Sequence, residues 1–134
     1  MKPHSVVLDT NIWISFIIKS RLDELVEWVT EHEITLWSSP ELVRELTEVL
    51  NRQKFSRYLT LPIADYLAFH QNLVRMLETK AVFSQSPDPK DNFLFDLALQ
   101  SETLLIVTGD KRLLKVSPID NVEIISLATF LNSI

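Results

Sequence analysis

The sequence predicts an α/β protein, a three-layer α/β/α sandwich around a mainly parallel central sheet. Three observations lead there. Short apolar runs of strand length alternate with stretches whose apolar residues recur at helical spacing. Those short runs are continuously apolar, as in strands buried on both faces, and do not alternate with polar residues. Two of them end in polar clusters, Asp9-Thr10-Asn11 and Gly109-Asp110, and parallel sheets gather ligands outside the C-terminal ends of their strands. The 134 residues fit a single domain covering the whole chain, 1–134, with right-handed crossovers expected between strands.

The elements follow in order. Ser5-Val6-Val7-Leu8 reads as the first strand, with a helix after Asn11. Over residues 21–32, Leu25, Val26 and Val29 share a helical face, and Asp23, Glu24, Glu27 and Glu31 occupy the rest of the wheel. Ile34-Thr35-Leu36-Trp37 is a second strand. Ser38-Ser39-Pro40-Glu41 then supplies a serine cap, an early proline and a capping box for a helix running to about Gln53. Residues 61–79 carry another helical pattern, and Ala81-Val82-Phe83 reads as a short strand behind it. A loop follows, Asp88-Pro89 opens a helix to about Ser101, and residues 103–108 and 122–125 form two more strands. Ser126 caps a last helix.

Composition narrows the function. With no cysteine, the chain has no disulfide, thiolate nucleophile or cysteine-held zinc. Its single glycine, Gly109, excludes both glycine-rich phosphate loops, since neither can be written with one glycine. No apolar stretch approaches the about 18 residues of a membrane span. Met1-Lys2-Pro3-His4-Ser5 is followed by no apolar region of signal-peptide length, so a cytoplasmic location is expected. The net charge of −5 argues against a nucleic-acid partner at first sight, but two divalent cations bound by converging carboxylates would offset most of it.

Four acids stand out by position. Asp9 ends the first strand. Asp110 follows Thr108-Gly109, where the glycine permits a close backbone approach or a positive φ, although a simple cap on the helix starting at Lys111 also accounts for Asp110. On the helix after Pro40, Glu45 lies roughly 100° from the centre of the apolar stripe, at the border of core and cleft. Glu41 and Glu48 lie farther round, roughly 140° and 160° away, and read as solvated. On the helix after Pro89, Asp91 lies about 85° from the buried face and Asp96 about 135°. Interaction with the helix dipole explains Asp91 equally well, and Asp88 reads as an N-cap.

Taken together, Val6-Val7-Leu8-Asp9-Thr10-Asn11, Ser38-Ser39-Pro40-Glu41-Leu42-Val43-Arg44-Glu45-Leu46, Asp88-Pro89-Lys90-Asp91-Asn92 and Val107-Thr108-Gly109-Asp110-Lys111-Arg112-Leu113-Leu114 resemble the PIN-domain family. The likeness is strongest to VapC-like toxins of bacterial toxin–antitoxin systems and spans nearly the whole chain. It implies catalytic and metal-holding roles for Asp9, Glu45, Asp91 and Asp110, with Thr10, Asn11, Thr108 and Asp96 in support. It further implies Mg²⁺- or Mn²⁺-dependent cleavage of RNA, a cognate antitoxin and a homodimer. Arg44, Arg52, Lys54 and Arg57 form one basic cluster for a substrate path, and Lys111, Arg112 and Lys115 another. Of these, Arg44, Lys111 and Arg112 are the substrate-binding candidates.

The residue types suit that chemistry, because hard divalent cations prefer oxygen ligands and activate water against phosphodiesters. Asp9 is the expected central ligand, and orienting the water is an alternative role for Glu45. Two other readings compete. One is a noncatalytic binding module on the same fold. The other is a phosphotransfer enzyme with Asp9 as nucleophile, which lacks the second acid of a D-x-D pattern and a lysine after the last strand. An acyl-transfer triad is weaker still, since His4, His32 and His70 accompany no nucleophile elbow and read as surface or packing residues.

Overall fold

The computed structural model describes residues 5–134. His4 and the N-terminal segment before it lie outside the described residues. Five parallel strands, β1 (Ser5–Leu8), β2 (Thr35–Ser38), β3 (Val74–Met76), β4 (Leu105–Val107) and β5 (Glu123–Ile125), lie in the order β3-β2-β1-β4-β5. In β1, Val6 and Val7 are fully buried and Leu8 nearly so. Neighbouring side chains on a strand point to opposite faces, so the sheet is covered on both sides, as a continuous apolar run predicts. Val6 lies opposite Leu36 of β2, and Leu8 opposite Val107 of β4. The chain moves outward from β1 to β3, then returns to lay β4 on the other flank of β1. The strand order therefore reverses between β1 and β4, and their C-terminal ends open a crevice there.

Among the described residues seven α-helices cover the sheet: α1 (Thr10–Ile18), α2 (Leu22–Glu31), α3 (Pro40–Leu50), α4 (Ile63–Leu73), α5 (Asn92–Gln100), α6 (Lys111–Lys115) and α7 (Leu127–Ser133). Ser39 caps α3 by accepting the Leu42 amide at 3.3 Å, and Ser126 caps α7 by accepting that of Thr129 at 3.1 Å. The residue three positions after Ser39 is Leu42, so no capping box forms. α3 stops at Leu50 and gives way to a 3₁₀ helix, Gln53–Tyr58, short of the expected end near Gln53. A second 3₁₀ turn, Pro89–Asp91, precedes α5.

The pattern over residues 61–79 is not one helix. α4 ends at Leu73, and Val74-Arg75-Met76 joins the sheet edge beside β2, with Val74 opposite Leu36. Pairing with an existing strand overrides a helical spacing that β-branched Val74 supports poorly. The strand expected at residues 81–83 does not form. The amides of Val82 and Phe83 are instead taken by one carboxylate oxygen of Asp96 at 3.1 and 2.8 Å, and Phe83 stacks on Phe95.

His70 is a packing histidine, fully buried on α4 with its ring edge-on to Trp13. Its Nε2 shares a 2.7 Å hydrogen bond with Ser38 Oγ, whereas Nδ1 has no partner. Burial lowers its pKa to about 4. The unfolded chain, with an ordinary histidine near 6.5, binds the proton first as pH falls, so this residue's contribution to stability is complete above about 6.5 and is lost on the way down to about 4. A His70→Gln variant, which keeps a polar group toward Ser38, should therefore lose less stability than the wild type between pH 7 and 4. The difference, measured by urea unfolding, should be on the order of 3 kcal/mol. Parallel pH curves for the two proteins would show that His70 is not held neutral.

Candidate active site

The crevice is built from the end of β1. Asp9 caps α1 and is only 5% exposed. Its Oδ1 accepts the Thr10 amide at 2.7 Å, and its Oδ2 accepts the Thr108 hydroxyl at 2.7 Å and the Asn11 side-chain amide at 3.3 Å. Thr108 Oγ1 in turn accepts the Asp110 amide at 3.0 Å, and the Asn11 side-chain carbonyl accepts the Gly109 amide at 3.2 Å. These bonds tie the turn after β1 to the turn after β4. Asp110 caps α6 through one oxygen, which accepts the Arg112 amide at 2.9 Å. The cap explanation and the site explanation are compatible, because among the described residues the other oxygen has no protein donor and Asp110 lines the cleft.

All four candidate acids line one cleft of about 310 Å³: Asp9 from the end of β1, Glu45 from α3, Asp91 from the start of α5 and Asp110 from the start of α6. Thr10 and Asn11 line it too. Thr108 stands behind Asp9 and acts on it through the hydrogen bond. Four elements distant in sequence thus deliver carboxylates to the switch point of the sheet.

A family model described as PIN domain matches residues 5–112. The chain belongs to the PIN-domain family. Its fold is similar to that of a chain in the crystal structure of VapBC2 from Rickettsia felis bound to a DNA fragment from their promoter, with 15% identity, a TM-score of 0.60, and 90% of this chain and 96% of that one covered. It is similar also to PAE2754 from Pyrobaculum aerophilum, with 12% identity, a TM-score of 0.53, and coverage of 96% and 88%. At these identities the likeness is one of fold. No curated protein matches the sequence closely enough to count as a relative.

The electrostatics of this PIN domain's cleft are those of acids crowded together out of water. Burial raises the pKa of Asp9 to about 6, opposed by its bond from Thr108 and helped by repulsion from Glu45 and Asp110. Asp91 rises to about 7, mainly through burial and then through repulsion from Asp9, Asp88, Glu45 and Asp110. Among the described residues Arg52 is the one basic residue lining the cleft, so most of this repulsion is unopposed there. An all-oxygen donor set with uncompensated negative charge fits a hard divalent cation. Among the described residues no three such side chains stand close enough, as placed, to form a ready ligand shell. A cation such as Mg²⁺ would therefore be held by one or two carboxylates and complete its shell with water.

Other expectations need correction. Asp96, expected in support of the site, does not line the cleft. It is buried because residues 81–83 fold over it, and its Oδ1 holds their amides. Glu41 is half-buried, while Glu48 is exposed as expected. Lys111 and Arg112 do not line the cleft, and Arg112 turns toward Asp88 and Asp110 at 3.7 and 3.9 Å. Arg44 lines an adjoining groove. Arg52 and Phe55 do line the cleft; Arg52 belongs to the basic cluster expected on a substrate path, whereas Phe55 is not among the candidates. For Arg52 the signal is present in the sequence, since Glu45, Val49 and Arg52 follow the i, i+4, i+7 spacing of one helical face.

Gly109 is also not what the sequence suggests. Its φ is not positive, and a Cβ placed on it would meet the Asn11 side chain at ordinary contact distances, Oδ1 at 3.7 Å and Cγ at 4.0 Å. Gly109→Ala should therefore fold with stability unchanged or raised by up to about 1 kcal/mol, because it restricts the unfolded chain without a native clash. A thermal melt showing marked destabilisation would restore a steric need for glycine.

The raised acids give a second expectation. The folded state holds the Asp91 proton up to about pH 7, whereas the unfolded chain releases it near 3.8. The folded state therefore binds more protons in this window, and stability falls as pH rises from about 4 to about 7. In EDTA at pH 8, Asp91→Asn should be more stable than the wild type by on the order of 1 kcal/mol once solvent screening is allowed for. At pH 4 that gain should vanish. Equal urea midpoints at both pH values would show that Asp91 is not strained by its neighbours.

Proposed function

We propose that this PIN domain is a metal-dependent endoribonuclease acting as the toxin of a type II toxin–antitoxin system. The observation that carries the reading is the delivery of Asp9, Glu45, Asp91 and Asp110 to one cleft at the strand-order reversal. PIN domains are in general nucleases, and the toxin reading draws on the fold shared with a VapBC2 chain. An antitoxin partner and a homodimer belong to the same proposal.

Within it, Asp9 is the central ligand, fixed by three donors that leave Oδ1 a free lone pair. Asp91 and Asp110 complete the negative field, and Glu45, reaching in from α3, is placed to hold a ligand or orient the attacking water. A bound Mg²⁺ or Mn²⁺ would supply charge stabilisation to the attacking and leaving oxygens of a phosphodiester. Thr108 and Asn11 keep the Asp9 carboxylate from rotating away. Ile14, Val49 and Phe55 on the cleft wall lower the local dielectric and strengthen each charge interaction.

The expected outcome is cleavage of single-stranded RNA in preference to duplex DNA, abolished by EDTA, by Asp9→Asn and by Asp110→Asn. Millimolar Mn²⁺ should raise the melting temperature of the wild type and much less that of Asp9→Asn. Both variants should remain folded, because removing a carboxylate relieves repulsion. Circular dichroism alongside product analysis separates loss of activity from loss of structure. Undiminished cleavage by folded Asp110→Asn would place the activity elsewhere.

A further inference from the structure

A second groove, of about 430 Å³, opens directly beside the acid cleft. Glu41, Arg44, Glu45 and Glu48 line it from α3, Arg52 from just beyond that helix, and Lys90 and Phe93 from the segment that opens α5, so three glutamates face three cations. Glu45 and Arg52 line both spaces, so a chain lying in the groove continues into the acids. Among the described residues Arg44 and Lys90 have no ion-pair partner, which leaves both heads available. Arg52 pairs with Glu48 at 3.7 Å, but those side chains are 51% and 73% exposed, and such a pair yields readily to a phosphate. Phe93 is half-buried, with part of its surface turned to the groove.

Cations spaced along a groove, with an aromatic surface among them, are the combination that binds single-stranded nucleic acid. The cations take phosphates and the ring takes an unstacked base, which a duplex does not offer. The groove is not a bare anion sink, because Glu41, Glu45 and Glu48 line it together with the cations. Their oxygens suit ribose hydroxyls and base amino groups and repel any phosphate not held by Arg44, Arg52 or Lys90.

We propose that this groove is the subsite for the nucleotides flanking the scissile phosphate of single-stranded RNA, with Arg44, Arg52 and Lys90 on the backbone and Phe93 stacked on a base. The assignment rests on the ribonuclease reading above, which names the acid cleft and leaves the path of the strand open. It makes Arg52 a positioning residue, shared by groove and cleft.

The test is fluorescence anisotropy of a labelled mixed-sequence single-stranded RNA on the full chain in EDTA, so that binding is read without cleavage, beside a cleavage assay in Mg²⁺. The double variant Arg44→Ala/Lys90→Ala should weaken binding on the order of tenfold or more, and it should reduce the slope of log affinity against log salt by about 1.4. Phe93→Leu, which preserves most of the packing, should weaken binding on the order of tenfold, and Phe93→Trp should retain wild-type affinity. If Phe93→Leu melts too low to assay, the double variant alone decides. RNA binding as tight as wild type in a folded double variant overturns the groove, and it leaves the ribonuclease reading intact if the wild type cleaves RNA. Lost binding in the variants, from a wild type that cleaves no RNA, upholds the groove and sinks the catalytic reading.

Discussion

The 2.7 Å hydrogen bond from Thr108 to Asp9 is the contact on which the site depends. It joins residues from the ends of two strands that are neighbours in the sheet but lie on opposite sides of the strand-order reversal. Without a donor there, a carboxylate 5% exposed would be an expensive group to bury. With it, the charge is oriented, and the same hydroxyl reaches on to the Asp110 amide. The two acid-bearing turns are therefore one unit. Parallel pairing of β1 with β4 places them side by side, and the apolar strands behind them hold that pairing in register.

Burial has opposite consequences at two places in the same molecule. Around His70 it disfavours a positive charge, and the fold is best off when that ring is neutral. Around Asp9 and Asp91 it disfavours negative charge, and the fold is best off when those acids are protonated. Between about pH 4 and 6 the folded apoprotein holds His70 neutral and both acids protonated, and the two contributions to the pH dependence of stability have opposite signs. A divalent cation bound as proposed would convert the mutual repulsion at the cleft into shared attraction and leave His70 untouched. Stability sacrificed at the cleft would in this sense be stored for the ligand, a pattern common to functional sites.

Much of this was legible in the sequence. Continuous apolar runs announced a sheet buried on both faces, and the wheel positions of Glu45 and Asp91 brought both to the cleft. What failed was whatever depended on a neighbour distant in the chain. Val74-Arg75-Met76 is a strand because β2 presents an edge to it, which no local periodicity encodes. Asp96 is buried because residues 81–83 close over it, so its angle from the helix's own apolar stripe was the wrong guide. The lone glycine drew attention as a backbone necessity, yet positive φ is carried by Ser20, Glu33, Glu102, Leu104, Asp120 and Asn121. Rarity in composition is no measure of conformational need.

The acidic net charge is compatible with the proposed RNA substrate because of distance. Fields from exposed charges decay over about 8 Å at physiological ionic strength, so a strand lying in the α3–α5 groove responds to Arg44, Arg52 and Lys90 more than to carboxylates on the far side of the molecule. The penalty of −5 falls mainly on the approach, where long-range repulsion slows encounter. Once contact is made, affinity is set by the few charges within reach, and in the groove those carry both signs. Mixed charge weakens binding of any uniform polyanion, and it favours a ligand whose phosphates meet the cations while its hydroxyls and bases meet the glutamates. On the ribonuclease proposal, such a groove would bind nucleic acid sparingly in general, which suits an enzyme that must leave most of the surrounding RNA alone.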